Sequence, residues 1–122
     1  MVQDIGEYGV NTETEDKGCF ITTATCMALG KKDNCLEILE FKRFRDEWLI
    51  KEEGGEELIR EYYKIAPEIV NKIDSLTSRY EVYLWLWNYY ISKIYEMIIS
   101  KKYLKAKNNY IKMVNKLKET LL

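Results

Sequence analysis

SRYEVYLWLWNYYISKIYEMIISK, residues 78–101, is the stretch on which the fold turns. Leu84, Trp87, Ile91, Ile94 and Ile98 recur at alternating spacings of three and four. That is the apolar stripe of a helix packed against antiparallel neighbours. Ser78 and Glu81 stand in the spacing of a capping box, which predicts a helix opening at Ser78 and running to about Lys101. The window 82–99 is the most apolar in the chain, yet Asn88, Ser92, Lys93 and Glu96 make it too polar for a lone membrane span.

Outward from this helix the same period continues on both sides. Toward the C-terminus, Tyr103, Ala106, Tyr110, Met113 and Leu117 predict a last helix, or a continuation of the same one. Toward the N-terminus, Leu58, Ile59, Tyr62, Tyr63, Ala66, Ile69, Val70 and Ile73 keep one helical face in phase across Pro67. Proline cannot donate to the helical ladder and disfavours helix in the residue before it. Two short helices, or one kinked helix broken near Ala66, are therefore expected. From Cys35 to about Lys51 the apolar residues fall on most faces of a helix, with Asp33 or Asn34 as its N-cap and Gly54-Gly55 as its end. The β-branched run from Cys19 to Cys26 reads either as extended chain or as the first turns of a buried helix. Residues 1–17, acidic and poor in apolar side chains, read as a flexible lead-in. The expected fold is all-α, a compact bundle of four or five helices forming one domain over residues 18–122.

Composition narrows the chemistry. The chain has 122 residues, 47% of them hydrophobic, enough to bury a core at the size of one domain. Nineteen basic and 20 acidic side chains leave a net charge of −1, which attracts neither nucleic acid nor an anionic membrane as a whole. The charge is unevenly spread: residues 93–122 hold eight lysines and two glutamates, a net +6, and the remainder carries −7. There is no histidine. Ser-His and Cys-His catalysis and histidine-containing zinc sites are therefore excluded. An odd count of three cysteines and no visible signal sequence suit free thiols in a reducing cytoplasm.

Three spaced stretches, Gly18-Cys-Phe-Ile-Thr-Thr-Ala24, Glu40-x-x-Arg43-Phe-Arg45-Asp46 and Glu61-Tyr-Tyr-x-x-Ala66-Pro67-x-Ile69-Val70, resemble the CFI-box family. Its members are small bacterial domains, often at the C-terminal end of longer proteins. The resemblance covers residues 18–73, leaves the helices after residue 78 outside, and implies no particular activity. Many members carry Ala-Tyr-Gly just after the box, where this chain has Thr25-Cys26 and then Gly30.

Candidate sites follow from side-chain chemistry. Cys19 follows a glycine and precedes a possible helix start, where backbone amides favour a thiolate. Arg43 and Arg45 could hold that thiolate electrostatically, or act as an anion fork. Packing as an ordinary buried thiol, and ion pairing of Arg43 with Glu40, Asp46 and Glu47 along one helix, are the structural alternatives. Cys19, Cys26 and Cys35, with Asp33 as fourth ligand, could bind a metal, although their spacing matches no standard site. No cofactor is expected. Glu81, Asn88, Ser92 and Glu96 trace a polar stripe along the long helix, with Trp85 on it and Tyr89 beside it. An aromatic residue on such a face suits a contact with another protein or a second copy of the chain. Most consistent with these features is a non-catalytic helical interaction or accessory module. Thiol-dependent chemistry or redox sensing at Cys19 comes second, and nucleic-acid binding by the lysine-rich last helix third.

Overall fold

The computed structural model describes residues 20–122; the acidic lead-in and Cys19 lie outside the described residues. The fold is the expected all-α bundle, with five helices and no strand among the described residues. Helix α1 is Phe20–Ala28, α2 is Leu36–Glu47 and α3 is Gly55–Asp74. Arg79–Leu86, a π-helical turn at Trp87–Ile91, and Ser92–Ile99 run on as one helix over 79–99, here α4; Tyr103–Leu121 is α5. Helix α1 lies against α3 and the first half of α4, α2 against the second half, and α5 against α3 and α4. Ile21, Phe41, Ile69, Leu86, Ile94 and Met113 meet in the shared core.

Local signals explain the corners, with corrections. Helix α1 ends in a Schellman turn at Gly30, φ 83°, where the Gly30 amide donates to the Met27 carbonyl and the Lys31 amide to the Cys26 carbonyl. Neither Asp33 nor Asn34 caps α2; Cys35 holds the cap position without a side-chain bond. Helix α2 stops at Glu47 and a 3₁₀ turn, Leu49–Lys51, follows. Gly54 and Gly55 belong to the next element instead. Gly54 takes the left-handed conformation, φ 75°, and Gly55 opens α3 so close to the Leu49 carbonyl oxygen that a Cβ would collide with it.

The expected break near Ala66 is absent: α3 runs through Pro67 without interruption. Ile59, Tyr62, Ala66, Ile69 and Ile73 are all buried on one face that crosses the proline, and that burial outweighs the missing amide. In α4 the correction is one of phase. Tyr83 and Leu86 are buried before the π turn, Ile91 is buried as its last residue, and Ile94 and Ile98 are buried after it, so the inward step from Leu86 to Ile91 is five residues. The π turn absorbs the extra residue and turns Leu84, expected inside, out to 38% exposure. Ser78 sits at the N-cap of α4 without a side-chain cap bond. Asp74 holds the corner, accepting from the Tyr83 hydroxyl at 2.7 Å and from Arg79 at 3.1 Å. Helix α4 ends at Ile99, two residues early, because Lys101 adopts φ 61° and Lys102 donates to the Met97 carbonyl at 2.8 Å.

Candidate functional site

Three groups of residues carry possible chemistry: the thiols, the α2 arginines with the space behind them, and the outer face of α4. Cys19 lies outside the described residues. Cys26, in the last turn of α1, is fully buried, and burial pushes its thiol up to about 12, with the neighbouring Cys35 adding to the rise. At neutral pH it is therefore a protonated thiol, a poor nucleophile and a poor metal ligand. Among the described residues no three Cys, Asp or Glu side chains are grouped to hold a metal, so Cys26, Cys35 and Asp33 do not form one.

Arg43 and Arg45 do not act as one fork. Two residues apart on a helix, they point to different sides. Arg43 is exposed and pairs along α2 with Glu40 and, at 3.9 Å, with Glu47. Arg45 is 6% exposed, and its Nε and Nη2 donate to the two Asp46 carboxylate oxygens at 2.6 and 3.0 Å. Asp46, expected on Arg43, is therefore engaged by Arg45. Arg45 also lines a cavity of about 400 Å³ between α2, α3 and α5. A signal for its burial was present: Phe41, Arg45 and Leu49 are four apart and share a helical face whose other members are apolar.

Tyr62, in α3, reaches the start of α1, where its hydroxyl accepts from the Ile21 amide at 2.9 Å. A free amide at a helix N-terminus is thus satisfied by a side chain from a helix 41 residues away in sequence.

The outer face of α4 gathers the four residues singled out there. Glu81, Asn88 and Tyr89 are exposed, Tyr89 at 62%. Trp85 is half-buried rather than fully on the surface: it packs on the core while its ring meets Tyr89 at 6.2 Å and Tyr90 at 5.5 Å. Two apolar residues join this face that periodicity did not place there, Leu84, turned out by the π turn, and Tyr80, 53% exposed. Trp87 lies elsewhere on α4, with the Lys31 ammonium 5.1 Å from its ring centroid.

The fold and face define an all-α bundle with an aromatic patch on one long helix. Comparison of the chain with protein-family models, with curated proteins and with solved structures finds no match. No helix among the described residues is long and apolar enough to cross a membrane.

Proposed function

We propose that this chain is a non-catalytic interaction module whose α4 face pairs with a second copy of itself. One observation carries the reading: the ridge Glu81, Trp85, Tyr89 and Lys93, at four-residue intervals, is complementary to its own reverse. Two α4 helices crossing antiparallel about a twofold axis level with Trp87 would set Glu81 against Lys93 and Trp85 against Tyr89. Glu81, Tyr89 and Lys93 are exposed and Trp85 half-buried, so no large rearrangement is needed to present them. A ridge of four side chains is far fewer than the roughly 20–30 residues a side of a standard stable interface, which predicts a weak, concentration-dependent dimer. A twofold contact is also the commonest arrangement for homo-oligomers.

A charge swap tests this by sedimentation equilibrium. Lys93→Glu sets like charges together at two symmetric places and is expected to weaken association about tenfold. Adding Glu81→Lys to that variant restores the pairing and the association. A wild-type chain that stays monomeric at millimolar concentration, or a double variant no better than the single one, would overturn the reading.

Residues 18–73 are, in the same proposal, a CFI-box-like region of a bacterial protein. Support comes from the three spaced stretches themselves, residues 18–24, 40–46 and 61–70. A cytoplasmic location is supported by the odd count of three cysteines, which suits free thiols in a reducing compartment.

A further inference from the structure

The cavity between α2, α3 and α5 is independent of the α4 face and belongs to none of the roles above. Its volume, about 400 Å³, falls within the ~300–1,000 Å³ of small-molecule sites. Phe41, Tyr62 and Tyr110 form an aromatic floor, with Tyr110 centred 6.1 Å from Phe41 and 5.4 Å from Tyr62. Leu58, Ile65 and Val114 supply half-buried aliphatic wall.

The charges around this space are not equivalent. Glu57 and Glu61 are exposed at the mouth, where water screens them, and Lys118, 3.9 Å from Glu61, offsets one of the two. Arg45 alone among the charged lining residues is buried. Its pair with Asp46 anchors the guanidinium in place, while Asp46 itself is more than half exposed and screened by water. Inside a low-dielectric wall a fixed guanidinium acts more strongly than the solvated carboxylates outside. An amphiphile with an anionic head would place its tail on the aromatic floor and share the guanidinium with Asp46. A cationic head would meet a like charge, and a neutral one would gain nothing from it.

The geometry points to a binding site for a small hydrophobic carboxylic acid, its chain in the cavity and its carboxylate at Arg45. The test is calorimetric titration of the wild-type chain at pH 7 with three ten-carbon probes: decanoate, decanol and decyltrimethylammonium. Decanoate is expected to bind at least tenfold more tightly than decanol, the size of one charge-assisted hydrogen bond, and the ammonium most weakly. Val114→Phe, which fills the cavity from α5, should lower decanoate affinity by tenfold or more. Amide shifts on decanoate binding should cluster at Tyr62, Ile111 and Val114. Equal binding of decanol, preferred binding of the ammonium, shifts confined to another surface, or no binding of decanoate overturns the assignment. The three-probe comparison needs no variant and stands even where Val114→Phe disturbs folding. Because the α4 face takes no part, success or failure of self-association leaves this outcome untouched.

Discussion

Helix α3 contains the one residue type that ends helices and does not end; α4 contains neither proline nor glycine and is the helix with the irregular turn. The two regions differ in the phase of their apolar residues. In α3 the buried stripe on either side of Pro67 is already in register, so a regular helix buries all of it and only one backbone hydrogen bond is lost. In α4 the buried residues before and after the middle are out of register by one, and a regular helix would leave one set in solvent. The chain accepts a π turn there because burying both sets is worth more than one stretch of regular geometry. Continuity of the buried surface, more than local propensity, decides where these helices are regular.

The sharpest way to break the comparison is to remove part of the stripe that holds α3 together. Ile69 is fully buried two residues beyond Pro67. Ile69→Ala is expected to cost about 3–4 kcal/mol through lost transfer energy and the cavity left behind. Chemical denaturation followed by circular dichroism would measure it. A loss below about 1 kcal/mol would mean that the stripe does not carry α3 across the proline.

These two helices also mark how far the sequence was legible. The helical class and the inward positions of α3 and the last helix follow from a 3.6-residue period, because apolar and polar residues alternate cleanly there, whereas the short β-branched run of α1 reads equally as extended chain and as helix. Between residues 82 and 91 only Asn88 is strongly polar, so the phase is undefined and Leu84 reads as inward as well as Tyr83 does. The outward face was legible through Glu81, Asn88 and Tyr89, while Leu84 and Tyr80 joined it only once the π turn was known. Arg45 could have been separated from Arg43 by helical geometry alone. The cavity beside it could not, since its volume depends on how three helices are spaced, and no single segment encodes that.

A second test works in the opposite direction on α3. Pro67 occupies a helix-interior position, half-buried, and withholds the amide that would donate to the carbonyl of residue 63. Pro67→Ala restores that donor and relieves the ring's crowding against the previous turn. The expected gain is about 1–2 kcal/mol, below the full ~3 kcal/mol proline penalty because the surrounding packing has adapted to the ring. A higher melting temperature would show that Pro67 is tolerated for other reasons than stability. A lower one would mean that the ring itself fills space the bundle needs.

The smallest expected effect is the most informative about α4. Deleting Asn88, an exposed residue inside the π turn, removes the one residue by which the two apolar sets are out of phase. Tyr83, Leu86, Ile91, Ile94 and Ile98 would then fall at spacings of three, four, three and four, so an unbroken α-helix would bury all five. Stability should change by no more than about 1 kcal/mol, whereas single-residue deletions in regular helices rotate one flank out of the core. The same deletion shortens the Trp85–Tyr89 interval from four residues to three and takes the α4 ridge out of line. The shortened chain should therefore fold and remain monomeric at concentrations where the wild-type chain pairs. A deletion variant that unfolds would show that the π turn is needed for more than phase. One that folds and still associates would separate self-association from the ridge.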